Sequence, residues 1–277
     1  MLRQRIVTAL VLLALLIPAL VVKTIWPFAV LTLAAMSAAG WEWSRLNQAG
    51  AFALPLGAAL GLACALALWA GWGQSAPQAA WWLASAAWVL GGAWVLRGGV
   101  EAWSRLPRVA RLGLGLVALW TAWLAMANAK AGGLNFILSL LCLVWSADIC
   151  AYAGGRAFGR RKLAPAISPG KSWEGVWSGM LGALVVAAVW IGLDVADVVD
   201  STSFYRVAVT RFSFAGMALI VVFLVAMSVV GDLFESLVKR SAGAKDSSGL
   251  LPGHGGILDR VDALLPVFPI ALALAAR

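Results

Sequence analysis

The residues best suited to chemistry lie in one stretch, GDLFESLVKRSAGAKDSSGLLPGHGGILDRVD, from Gly231 to Asp262. Asp232, Glu235 or Ser236, Lys239 and Arg240 recur at helical spacing, so a helix would set them on one face. Taken alone, that pattern also suits a solvated helical extension with internal ion pairs. PGHGG, Pro252 to Gly256, cannot hold a helix, but its backbone N–H groups can approach an anion closely. Asp259 and Asp262 follow, three residues apart. A helix starting near Leu258 would carry both on its first turn, where they could share a hard cation; read in isolation they are a cap and an Arg–Asp pair. Asp232 could close the same site from across the hairpin. Three carboxylates suit Mg²⁺, which keeps waters and takes further ligands from substrate phosphates. Lys239, Arg240, Lys245 and Arg260 would offset phosphate charge. His254, the only histidine, is either a phosphate donor or general acid–base, or simply holds its loop; with no Cys partners it makes a poor zinc site.

A second set lies upstream. Asp148, Tyr152 and Arg156 are spaced i, i+4, i+8, which places an acid at the end of an apolar run, a functional candidate by default. SPGKSWEG, Ser168 to Gly175, contains GKS, but a phosphate-binding P-loop needs glycine where Pro165 stands. Lys171 remains a candidate phosphate ligand, and Trp173 and Glu174 are expected to begin the next helix. A basic loop with a Trp anchor accounts for these residues equally well.

What must position both sets is a membrane-embedded helical scaffold. Of 277 residues, 62% are hydrophobic and 12% charged, against about 45–50% and about 25% in soluble domains. The mean hydropathy of +0.91 agrees. We expect an all-α, polytopic integral membrane protein with about nine transmembrane helices. The apolar runs are near Ile6–Val22, Ile25–Ala39, Phe52–Trp72, Ala79–Leu96, Leu112–Ala127, Leu134–Ala151, Val176–Leu193, Phe212–Val230, and a last run ending at Ala276. Residues 1–130 would hold about five of them and residues 131–277 the rest, with the site. The first run follows MLRQR but lacks an A-x-A site, so it is expected to stay as an uncleaved helix. Its neighbours up to the fifth run carry few charges and nothing that looks like chemistry.

Charge placement sets the orientation. With a cytoplasmic N-terminus, sixteen of the 21 basic residues fall on one side, and Lys23, Lys130, Arg206, Arg211 and Arg277 on the other. The outer loop with Asp194, Asp197 and Asp200 is otherwise bland. The net charge of +9 is therefore mostly topology, and with no basic run or stacking module it does not point to nucleic acid. Sixteen Trp against two Tyr suit interfacial belts, some being core. Cys64, Cys142 and Cys150 sit in apolar runs and read as buried small hydrophobes.

The pattern S-x-x-K-R, four residues, K-D, then P-G-H-G-G-x-x-D-R-x-D, from Ser236 to Asp262, resembles the signature of the phosphatidate cytidylyltransferase family. The resemblance extends to DICAYAGGRAFGRRKLAPAISPGKSWEG and to Gly231-Asp232, covering most of the C-terminal half. Ser172 stands where Thr is common in the family, keeping the hydroxyl. The resemblance implies a reaction in phospholipid synthesis: CTP and phosphatidic acid give CDP-diacylglycerol and pyrophosphate, with Mg²⁺, at the cytoplasmic face of a bilayer, the bacterial inner membrane. It implies Asp232, Asp259 and Asp262 on Mg²⁺, with a second cation as a variant. Phosphates would be oriented by Lys171, Lys239, Arg240, Lys245, Arg260 and the PGHGG amides, including those of Gly255 and Gly256. Ser168 and Ser236 join the substrate site, Asp148 and Asp246 orient basic groups or complete the metal shell, and His254 joins the catalytic set. A homodimer is a family-level expectation. The rival classes are a transporter, against which the charges gather at one face instead of the midplane, another membrane nucleotidyl- or phosphotransferase, and a scaffold, which has no use for such a cluster.

Overall fold

The computed structural model describes residues 2–194 and 200–276; Asp197 and Arg277 lie outside the described residues. Apolar sequence punctuated by Gly, Pro and short polar turns folds into α1 (Leu2–Val21), α2 (Trp26–Leu46) and α3 (Ala53–Trp69). Next come α4 (Gln78–Ala86) and α5 (Gly92–Arg105), joined by a π turn, then α6 (Arg108–Ala131) and α7 (Leu134–Phe158). A hairpin, β1 (Lys162–Ala164) and β2 (Ser168–Ser172), leads into α8 (Trp173–Asp194) and α9 (Phe204–Ser241). The chain ends in α10 (Leu258–Val261) and α11 (Leu264–Ala275). The antiparallel hairpin, pairing Lys162 with Ser172 and Ala164 with Ser168, is the one two-stranded sheet in an otherwise helical plan among the described residues.

Among the described residues seven helices are long and apolar enough to cross a membrane, against the nine expected. The physical reasons are local. The second run is helical for 21 residues, but its last turns carry Glu42, Ser44 and Arg45. The ninth breaks at Asp262–Ala263, and α11, with 12 residues, is about 18 Å long and almost wholly buried in the bundle. The eighth belongs to a 38-residue helix that is interrupted at Ser213, where φ is +70°, and is still one of the seven.

Short connections make successive helices antiparallel neighbours. At one end Asn128 caps the turn after α3, donating to the Trp72 carbonyl at 2.7 Å and accepting from the Ala76 amide at 3.1 Å. At that end too, Asp200 accepts from the Leu134 and Asn135 amides at 2.8 and 2.9 Å. Buried Asn135 donates to Asp194 at 2.8 Å and accepts from Trp190 at 2.7 Å, while Ser203 donates to the other Asp194 oxygen. The loop read as bland thus ties α7, α8 and α9 together. At the opposite end Trp43 donates to the Arg111 carbonyl at 3.1 Å, and Thr8 to the Pro252 carbonyl at 2.9 Å. The start of α1 therefore lies at the same end as the PGHGG loop.

Two packing features hold the site-bearing helices. Phe234 on α9 sits among Trp43, Trp88 and Trp103, with ring centroids 5.3–5.8 Å apart, so much of the Trp content serves the core. The α7–α8 seam is built from small residues: a Cβ on Gly175 or Gly179 would press on the carbonyl oxygens of Ala151 or Ala147, which are backbone and cannot yield. A Gly-x-x-x-Gly spacing gives this close approach. We expect Gly179→Val to destabilise the protein by about 1–3 kcal/mol, read as a lower Tm in detergent; an unchanged Tm would contradict this packing.

Candidate active site

The end of the bundle that holds the start of α1 contains a cavity of about 680 Å³. Because α7 continues unbroken to Phe158, its i, i+4, i+8 face presents Asp148, Tyr152 and Arg156 to that cavity. Arg156 donates to the Tyr152 hydroxyl at 3.3 Å. The hairpin brings Ser168 and Lys171 to the opposite wall, and Lys171 Nζ meets Asp232 Oδ2 of α9 at 2.6 Å. Asp259, Arg260 and Asp262 complete the lining. Gly231 lets α9 approach the joint between α10 and α11, since a Cβ there would overlap the Asp262 carbonyl and the Pro266 ring.

The two aspartates beyond the spanning helices differ sharply. Burial and the nearby Asp232 push the Asp262 carboxyl up to about 8, outweighing the Ala263 amide, Lys171 and Lys239. Burial also works against ionised Asp259, but Lys239 and the amides of Gly256 and Ser247 overcome it and hold that carboxyl at about 2. Asp259 Oδ1 takes Lys239 Nζ at 2.5 Å. Its Oδ2 accepts from the Ser247 amide and hydroxyl at 3.0 and 2.8 Å and from the Gly256 amide at 2.8 Å. Lys239 also pairs with Glu235 at 2.5 Å.

Of the residues marked out by sequence, Asp148, Ser168, Lys171, Asp232, Asp259, Arg260 and Asp262 share the cavity wall. Lys239 stands behind Asp259, buried, as a counter-ion to two carboxylates. Ser236 donates to Asp232 at 3.4 Å. Arg240 turns to the carbonyls of Ile167 and Ala244 at 3.3 and 3.0 Å. Lys245 and Asp246 are exposed and do not line the cavity. His254 is outside it too; its carbonyl accepts from Arg260 at 3.2 and 2.6 Å. The amides after the histidine do meet anions, but these are the protein's own: Gly256 donates to Asp259, and Ile257 and Leu258 to Glu42. Gly255, with φ of +83°, closes the turn by a bridge to Leu251.

Glu42 of α2, three residues past the end of the second apolar run, was not singled out by the sequence reading. It is fully buried and reaches the loop that carries Asp259. Its signal was in the sequence: an acid, in WEWSR, near the end of an apolar helix.

Among the described residues no three His, Cys, Asp or Glu side chains are gathered as a ready ligand set. Asp259 shares the cavity wall with the other two aspartates, but both of its oxygens are engaged by Lys239, Ser247 and Gly256. Asp232 and Asp262 do fit a hard cation, because both are oxygen donors at a shared cavity wall and the Asp232 charge disfavours ionised Asp262 when no cation offsets it. A second cavity, of about 660 Å³, adjoins through Arg156 and is lined by Arg160, Arg161, Trp173 and Trp177. The two indoles stack at 6.2 Å on an exposed face.

Apolar helices long enough to cross a membrane, with aspartates, a lysine and two arginines facing a cavity at one end, define a membrane-type helical bundle with a charged site. The chain belongs to the cytidylyltransferase family, whose profile matches residues 3–276. It is 40% identical over 289 residues to the phosphatidate cytidylyltransferase of Pseudomonas aeruginosa, covering 99% of this chain and 97% of that one. The phosphatidate cytidylyltransferase of Haemophilus influenzae is 48% identical over 137 residues, covering 50% of this chain and 44% of that protein. That of Bacillus subtilis is 38% identical over 154 residues, 56% and 52% of the two chains.

Proposed function

We propose that this chain transfers the cytidylyl group of CTP to phosphatidate, giving CDP-diacylglycerol and pyrophosphate in phospholipid synthesis. The reaction would be Mg²⁺-dependent, at the cytoplasmic face of a bacterial inner membrane. The observation that carries the reading is the cavity where Lys171, Asp232, Asp262 and Arg260 meet at the end of membrane helices. There a bilayer-bound phosphate and a water-soluble triphosphate can both arrive. The indole-flanked arginine hollow beside it supports approach of the lipid phosphate from the membrane surface.

A phosphatidate oxygen attacks the α-phosphorus of CTP. One P–O bond forms and the bond to the β-phosphate bridge breaks, so pyrophosphate leaves with its electron pair. The attacking monoester is already anionic, so the protein supplies position and charge rather than a base. Lys171 and Arg260 face the developing charge, and Tyr152 and Arg156 orient the acceptor phosphate. Asp232 and Asp262 would hold Mg²⁺, which when bound neutralises phosphate oxygens and orients the triphosphate. Asp259 and Lys239 act from behind them, fixing the loop.

Two outcomes test this. Labelled CTP offered with phosphatidate or with a polyprenyl phosphate should yield a lipid product only from phosphatidate; a polyprenyl product would shift the assignment to another membrane transferase. Because the Asp262 carboxyl is held up at about 8, it would have to give up its proton before it could serve as a Mg²⁺ ligand. Calorimetric titration without nucleotide should therefore show proton release near pH 7 and roughly tenfold tighter binding for each unit up to about pH 8. Binding independent of pH would contradict Asp262 as a ligand.

A further inference from the structure

Glu42 has no place in the chemistry above, yet it is the most completely enclosed carboxylate near the site. It sits on the last turns of α2 with no exposed surface. A desolvated carboxylate persists only where donors replace water, and Glu42 is met by four. The Ile257 and Leu258 amides donate at 3.0 and 2.7 Å, the Ser247 hydroxyl at 3.2 Å, and the Ser248 hydroxyl completes the set. A Cβ on Gly256 would overlap both Glu42 Oε1 and Ser247 Oγ, so the loop is drawn onto this side chain as closely as backbone allows.

The consequence for the cavity runs through Ser247. Its hydroxyl lies 2.8 Å from Asp259 Oδ2 and 3.2 Å from Glu42 Oε2, so one hydroxyl proton serves two carboxylates. Asp259 is in turn locked by Lys239, which Glu235 holds from α9. A continuous buried chain of polar groups thus links α9 to α2 across the loop that carries Asp259, Arg260 and Asp262. Leu258, whose amide Glu42 accepts, is the first residue of α10, which sets the direction of the following aspartates.

We infer that Glu42 is a positioning residue for the cytidylyl transfer, fixing the Ser247–Asp259 contact and the start of α10 so that Arg260 and Asp262 face the cavity. The inference rests on the function proposed above. It assigns the N-terminal helices a part in the reaction: α2 supplies the anchor for a loop at the far end of the sequence.

The test is steady-state kinetics of the full-length protein in detergent with CTP, phosphatidate and Mg²⁺. Glu42→Gln turns one acceptor oxygen into a donor facing donors. It should lower kcat about 10- to 100-fold, the range for partners that orient a catalytic group, while KM for CTP changes by less than about threefold. In a double-mutant cycle with Ser247→Ala the two kcat effects should fall well short of multiplying, because they act through one contact. Ser248→Ala, which removes a single Glu42 partner, should fold and lower kcat by roughly threefold; it decides the matter if Glu42→Gln does not fold. An unchanged kcat in Glu42→Gln, effects that multiply independently, or wild-type kcat in Ser248→Ala where Glu42→Gln is unfolded would overturn the inference while leaving the reaction intact. A wild-type protein that makes no CDP-diacylglycerol would overturn the reaction itself, and is told apart by that control.

Discussion

Asp262→Asn should abolish turnover, lowering kcat at least about 10³-fold, or roughly 4 kcal/mol of transition-state stabilisation, without unfolding the protein. The two halves of this expectation have one cause. Asp262 is a partly buried carboxyl facing Asp232, so its ionised form is unfavourable in the metal-free fold. Between about pH 4 and pH 8 the folded protein keeps a proton that the unfolded chain has released. Stability contributed by this group is therefore full below the unfolded value and falls as pH rises toward 8. The asparagine variant removes that loss, so its Tm at pH 8 should equal or exceed that of wild type. Activity purchased with local instability is a familiar trade. A variant that is active and has a Tm below that of wild type at pH 8 would show that Asp262 serves only the fold.

Lys239→Met is expected to have the largest effect on stability. Lys239 is buried between Glu235 and Asp259, 2.5 Å from each. Removing the one cation leaves two carboxylates enclosed together. Breaking a buried pair from one side costs about 3–5 kcal/mol, which should appear as a large fall in Tm and in the yield of monodisperse protein. Lys239→Arg keeps the charge but cannot place a planar fork in the same space, and should recover only part of the loss. If Lys239→Met were as stable as wild type, with CTP turnover alone lost, Lys239 would belong on the substrate side of Asp259 instead of behind it.

The helical membrane scaffold was legible because burial in lipid leaves a compositional mark that no soluble domain carries. The i, i+4, i+8 placement of Asp148, Tyr152 and Arg156 was legible too, since helical periodicity alone converts spacing into direction. Less was visible where function depends on long-range closure. Lys239 and Asp232 share a helix face in sequence, yet one is enclosed behind Asp259 and the other faces the cavity, because Lys239 pairs with Asp259 of α10 and Asp232 with Lys171 of β2. The glycine loop reads as an anion cradle, but the Gly256 amide meets Asp259 and the next two amides meet Glu42, a pairing across more than 200 residues that spacing within the loop does not reveal. The count of spans was less legible for a related reason: an apolar run tells how greasy a segment is, not whether its helix breaks, as at Asp262–Ala263, or takes up charged residues in its last turns, as α2 does with Glu42 and Arg45.

The most direct measurement follows the phosphorus atoms. Purified protein in detergent is supplied with phosphatidate, Mg²⁺ and CTP labelled at either the α- or the γ-phosphate. Cytidylyl transfer predicts that the α-label enters the lipid, while the γ-label leaves entirely as pyrophosphate in equal amount. A lipid carrying the γ-label, or none carrying the α-label, would contradict it.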